Sequence, residues 1–197
     1  MKKFLAKLLF RQPGEGGVKD ALLFLALFAF FALVFNALFS ATPLLPQVAA
    51  FSSLPFVNLL GLDAVVDQKE FPHLVAASGG VATSEGGAAF GGGAAFDAEI
   101  TYLCGGGVEL AVLLALVAAT RDRSIRARLG GMALGVAALL LFNPVRIALS
   151  LAAFGTPVFA LAHDVLFRAS IVVIVVGVYA VWYLKLSKAG SALKAKD

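Results

Sequence analysis

Residues 21–41, ALLFLALFAFFALVFNALFSA, carry no charged side chain, and Asn36 is the one strongly polar group inside the run. A hydrocarbon core of about 30 Å needs roughly 20 apolar residues of helix, so this stretch is long enough to cross a bilayer. Three further stretches meet the same test, at about 101–119, 129–153 and 161–184. Lipid offers the backbone no hydrogen-bond partner, so a lone segment crosses as a helix. The remainder of the chain agrees. It is 60% apolar and only 14% charged, where soluble domains carry about a quarter charged residues. The sequence therefore predicts an all-α integral membrane protein. It forms one membrane domain over 1–197 with four principal transmembrane helices.

A fifth apolar stretch, 42–62, is interrupted by Pro43, Pro46 and Pro55, and each proline removes a backbone donor. Charge also argues against its crossing. If it does not span, one side of the membrane receives residues 1–20, the basic loop 120–128 (Arg121, Arg123, Arg126, Arg128) and the lysine-bearing tail 185–197. The other side receives 63–100, where Asp63, Asp67, Glu70, Glu85, Asp97 and Glu99 face Lys69 alone. Basic loops stay cytoplasmic. Both termini are thus expected inside and 42–62 is expected as a shallow interfacial or re-entrant segment on the outer face. Residues 63–100 are expected as a small extracytoplasmic loop or hairpin. The first run exceeds the roughly 7–15 apolar residues of a signal peptide, which favours an uncleaved anchor. The last span ends in YAVWYL, the composition of an aromatic belt at a membrane surface.

Several function classes drop out. The basic residues form no single patch, so nucleic acid is not an expected partner. One cysteine allows no intrachain disulfide, and with His73 and His163 the only histidines, no metal site or cofactor is expected. Neither a G-x-S-x-G elbow nor an H-E-x-x-H zinc motif is present.

Ionisable groups inside spans cost about 2.5–3.5 kcal/mol each on insertion scales and mark functional positions. Cys104 opens the second span at its outer end. Arg146 lies roughly 10 Å below the outer end of the third, at 1.5 Å per residue. His163 and Asp164 open the fourth, with Arg168 one turn on. A thiol, a guanidinium and an imidazole from three spans therefore share the outer third of the bilayer. Such a set suits acyl transfer: a sulfur nucleophile, an acid/base and a fixed cation for the oxyanion. Arginine does not lose its charge in proteins, so Arg146 fits the last role. Gly105, Gly106 and Gly107 would leave room for a substrate backbone beside the sulfur. Asn143 shares a helix face with Arg146, and Pro144 would bend the helix there.

Each residue also has a plainer role. Cys104 would be a small buried hydrophobe, and the glycines would serve helix packing. Arg146 would pair with Glu109, about 7–8 Å below Cys104. Asp164 and Arg168 would form an i,i+4 ion pair. His163 would sit at the interface and His73 in a solvated loop.

Taken in order, CGGGVEL at Cys104, NPVRI at Asn143 to Arg146 and AHDVLF at His163 resemble the exosortase/archaeosortase family of membrane transpeptidases. The likeness covers about residues 95–185, includes the basic turn RDRSIRARLGG, and is closest to the exosortase H branch. It implies cleavage of exported proteins that end in a short motif, a transmembrane helix and a basic cluster. Cleavage would run through a thioacyl intermediate, with transfer to a lipid or surface-glycan acceptor. It further implies Cys104 as nucleophile, Arg146 as transition-state stabiliser and His163 as acid/base, with Asn143 behind them. It places the enzyme in the plasma (inner) membrane with its site at the outer face. Two alternatives stand beside it: an intramembrane cysteine protease that releases by hydrolysis, and a non-enzymatic four-span assembly or transport subunit.

Overall fold

A computed structural model describes residues 17–68, 71–76, 96–154 and 156–186. The first apolar run is one unbroken helix, α1 (Val18–Ser40), with no residue buried. Phe31, Phe35 and Phe39 stack at i,i+4 spacing, and the last two pack on Leu110, Leu114 and Leu139.

The proline-interrupted stretch is also a helix, α2 (Leu44–Leu59). Pro43 is its N-cap and Pro46 lies in its first turn, where an N–H has no intrahelical acceptor to lose. Only Pro55 removes a helix bond. Pro46, Ala49, Ala50, Ser53 and Val57 form its buried stripe, at the spacing of one helix face.

Three short strands follow: β1 (Ala64–Gln68), β2 (Pro72–Ala76) and β3 (Phe96–Glu99), in antiparallel order β1-β2-β3. The expected hairpin thus gains a third strand, and the fold is mostly helical with a small sheet. Pro72, Leu74 and Ala76 alternate inward along β2. Leu74 and Ala76 share a core with Ala50 and Val57 of α2 and with Ile147 and Leu151 further along.

Helix α3 (Gly107–Ala119) has 13 residues, about 20 Å at 1.5 Å per residue. The sequence predicts a helix from 101, but residues 102–106 form turns. Gly106 holds φ +78°, a left-handed conformation that cannot continue into a right-handed helix, so winding starts at Gly107. Helix α4 (Ile125–Ala152) has 28 residues and starts ahead of the expected 129. The Ser124 side chain caps it by accepting the Ala127 N–H at 3.3 Å. It runs unbroken through Pro144. Helices α1 and α4 are long and apolar enough to cross a membrane.

Glycines on α4 set its contacts. A Cβ on Gly131 would lie 2.6 Å from the Trp182 indole, and one on Gly135 2.8 Å from Leu113. This small-xxx-small spacing lets neighbouring elements approach. Two buried arginines of α4 hold the ends of α3. Arg128 donates to the Ala118 carbonyl at 3.1 Å, and Arg146 reaches the turn ahead of α3.

The last helical run is continuous from 159 to 186. It comprises α5 (Phe159–Ser170), a π-helical stretch Ile171–Val178, the single turn Tyr179–Val181 and a second π-helical stretch Trp182–Leu186. Its aromatic end, expected as a belt at a membrane surface, makes contacts within the protein. Trp182 is 2% exposed and donates its indole N–H to the Ala127 carbonyl at 2.9 Å. Tyr179 pairs with Thr120 at 2.9 Å, and Tyr183 donates to Asp122 at 2.9 Å. The Arg123 guanidinium stands 4.4 Å over the Tyr183 ring. These aromatics dock on the basic turn between α3 and α4.

Candidate active site

The turn that carries Cys104 is built by backbone and side-chain bonds from the residues just before it. Gly105 N–H donates to the Thr101 carbonyl at 2.8 Å, Gly106 N–H to Leu103 at 3.2 Å and Gly107 N–H to Tyr102 at 3.1 Å. The Thr101 hydroxyl accepts the Cys104 N–H at 3.5 Å and donates to Cys104 Sγ at 3.6 Å. Tyr102 donates its hydroxyl to Asn36 Oδ1 of α1 at 2.8 Å, which gives the one polar residue of the first apolar run a partner. The sulfur is half-buried and is not in a disulfide.

The three glycines after Cys104 are buried. A Cβ on Gly105 would press on the backbone of Leu45 and Pro46 at 3.2–3.3 Å. One on Gly106 would strike Leu139, and one on Gly107 the Tyr102 ring. The space expected beside the sulfur for a substrate backbone is therefore occupied by α2, α4 and Tyr102. Glycine is needed here for close packing and for the left-handed residue.

Arg146 supplies the electrostatic link. Its Nη1 donates to Glu109 Oε1 at 2.6 Å, with Glu109 fully buried, and its Nη2 donates to the Cys104 carbonyl at 2.8 Å. Glu109 is thus the partner that a buried arginine requires. The same guanidinium fixes the peptide that carries the nucleophile candidate.

His163, near the start of α5, is half-buried, with its ring 5.8 Å from that of Phe159. Its Nδ1 is 3.9 Å from Asp164 Oδ1, and Asp164 and Arg168 approach to 4.0 Å on the exposed side of the helix.

Cys104, Arg146 and His163 line one cavity of about 180 Å³. Ile147, Leu151, Phe154 and Phe159 supply apolar lining, and residues 97–99 of β3 with Ile100 line it as well. Asn143 is not part of it. That side chain faces the other side of α4, beside Gly105, Gly106 and α2. Its Oδ1 is buried with no hydrogen-bond partner among the described residues. Three residues apart on a helix leaves the two side chains about 60° apart around the axis, so each borders a different neighbour at the edge of a shared face.

Several contributors lie outside the motifs. Thr101 holds Cys104 through its hydroxyl, and Ser150 lines the cavity one turn after Arg146. That i,i+4 spacing is a readable signal. Asp97 and Glu99 line the cavity together with Ala98 and Ile100 between and after them. His73 is a half-buried β2 residue whose Nδ1 pairs with Asp97 Oδ1, in place of the expected solvated loop. Among the described residues, no group of three or more His, Cys, Asp or Glu side chains could hold a metal ion.

No family model, curated protein or solved structure matches the chain.

Proposed function

We propose that this chain is a cysteine transpeptidase of the exosortase kind, with four spans, both termini cytoplasmic and its site at the outer membrane face. The observation that carries the reading is the shared cavity. Three residue types suited to acyl transfer, drawn from a turn and two helices distant in sequence, line one space. The orientation is supported by charge. The basic loop follows the C-terminal end of α3, while the sheet with Asp67, Asp97 and Glu99 precedes its N-terminal end.

In the proposed reaction, His163 takes the Cys104 proton and Sγ attacks a peptide carbonyl. The resulting oxyanion forms beside the Arg146 charge. Collapse breaks the C–N bond, His163 returns the proton to the leaving amine, and a thioester remains on Cys104. A nucleophile from a lipid or surface-glycan acceptor then attacks the thioester, with its proton passing through His163 to restore the thiol. Water in that step gives hydrolysis instead.

The substrate class is an exported protein that ends in a short motif, an apolar helix and a basic cluster. Co-expression with such a protein from the same genome tests the reading. Cys104→Ala and His163→Ala are expected to abolish processing in membranes that contain the protein at wild-type levels. Processing that persists in Cys104→Ala would exclude the mechanism.

One observation favours a second reading. Arg146 spends Nη1 and Nη2 on Glu109 and on a backbone carbonyl, as a purely structural cation in a non-enzymatic membrane subunit would. That reading expects Cys104→Ala to be silent and Arg146→Ala to destabilise the protein.

A further inference from the structure

Among the described residues, strand β3 is an edge strand of the sheet, and its residues 97–99 together with Ile100 line the cavity that Cys104 also lines. Opposed residues in an antiparallel ladder alternate between pairs that exchange backbone hydrogen bonds and pairs that do not. The parity here is fixed by Ile100 N–H, which donates to the Pro72 carbonyl at 2.9 Å, and by the register His73↔Glu99 and Leu74↔Ala98. Ala98 and Ile100 therefore turn their backbone groups toward β2. Glu99, between them, turns its N–H and C=O to the outer edge of the sheet. An edge strand of this kind is a template for an added strand.

We propose that a peptide substrate binds in extended form as a fourth strand along β3. The backbone bonds at Glu99 would hold its main chain while one side chain enters the cavity. The cavity volume supports this occupant. At about 180 Å³ it is below the roughly 300–1,000 Å³ of pockets that enclose a small-molecule ligand, and suits a side chain of a passing peptide. Its lining also fits: Ile147, Leu151, Phe154 and Phe159 are apolar, as a pocket for an apolar side chain requires. The inference rests on the peptide-cleaving reading of the site and specifies how the scissile bond is presented to Cys104.

Strand addition has a periodicity that other binding modes lack, because alternate side chains point to opposite faces. The test uses full-length chain with Cys104→Ala and Glu99→Cys. It is co-expressed with a tailed exported reporter from the same genome that carries successive single cysteines ahead of its apolar helix. Oxidative crosslinking in membranes is expected at one reporter position and more weakly two residues to either side, with the intervening positions silent. Moving the introduced thiol by Asp97→Cys is expected to shift the pattern by two positions. Crosslinks without alternation, or none from either variant while the wild-type chain cleaves the reporter, would overturn strand addition and leave the enzyme intact. Alternating crosslinks with no cleavage by the wild-type chain would retain the docking mode and remove the transpeptidase. Loss of both signals removes both.

Discussion

Replacing Glu109 by leucine separates the structural task of Arg146 from its proposed chemical one. The carboxylate is fully buried, Arg146 is 8% exposed, and the two meet at 2.6 Å. Removing one member of such a pair strands a charge away from water, which costs about 3–5 kcal/mol. For a chain of this length each kcal/mol lowers Tm by about 2–4 °C, so Glu109→Leu is expected to lose about 6–20 °C. Arg146→Met should lose a similar amount. The double replacement leaves no stranded charge, and an apolar pair of similar volume is often neutral or better. It should therefore recover most of the loss, a large coupling in a double-mutant cycle. Trp182, the only tryptophan, is buried where the last helical run packs on α4, and its fluorescence on heating in detergent reads the transition. Activity divides the outcomes further. The double variant should be stable yet slowed by about 10²–10³, the usual effect of losing one oxyanion stabiliser. If the two losses simply add, the pair is not coupled and the buried-charge account of this site is wrong. If the double variant processes substrate at the wild-type rate, Arg146 has no chemical role.

Other expectations concern the turn, the helix contact and the topology. Gly106→Ala combines a left-handed backbone with a Cβ 2.4 Å from Leu139, and is expected to cost about 1–3 kcal/mol and to reduce processing by displacing Cys104. Calorimetry with parallel activity measurements checks both. Tyr102→Phe removes the bond to Asn36, and its loss of stability should be near 0.6 kcal/mol, as for hydrogen bonds between membrane helices. A larger value would mean that the hydroxyl does more than tie α1 to the turn. Gly131→Leu should displace the Trp182 indole from α4 and shift its emission to the red, because the new side chain claims its place. A membrane-impermeant maleimide should label Cys104 from the outer face of intact cells, and labelling only after the membrane is opened would reverse the proposed orientation.

What could be read from the sequence follows from what hydropathy and spacing encode. Long apolar runs marked the two longest helices, α1 and α4, because length and composition are properties of the chain itself. Depth along those runs brought Cys104, Arg146 and His163 to one level, and the same reasoning paired Arg146 with Glu109. Facing is harder to read. Asn143 is three residues from Arg146, yet it lies in a different cleft because a helix divides the two positions between neighbours. The role of Gly105, Gly106 and Gly107 depends on α2 and Tyr102, and no local pattern shows what a glycine leaves room for. The prolines of α2 looked like breaks because their cost depends on position in the helix, and two of the three fall where an N–H has no acceptor. Trp182 shows the same limit: YAVWYL has the composition of a belt at a membrane surface, and only the glycine opposite reveals an internal contact.

The two arginines of α4 also impose a length standard on α3. Arg128 and Arg146 are 18 residues apart, about 27 Å along their helix. One is tied to Ala118 near the end of α3, the other to Glu109 and to the peptide of Cys104. An inserted or deleted residue between Glu109 and Ala118 would move one anchor by about 1.5 Å and turn it by about 100° relative to the other, so both could not stay engaged. The segment should therefore tolerate exchange of one apolar side chain for another far better than any change in residue number. A deletion scan across 111–117, scored beside point substitutions, would show the chain counting its own residues.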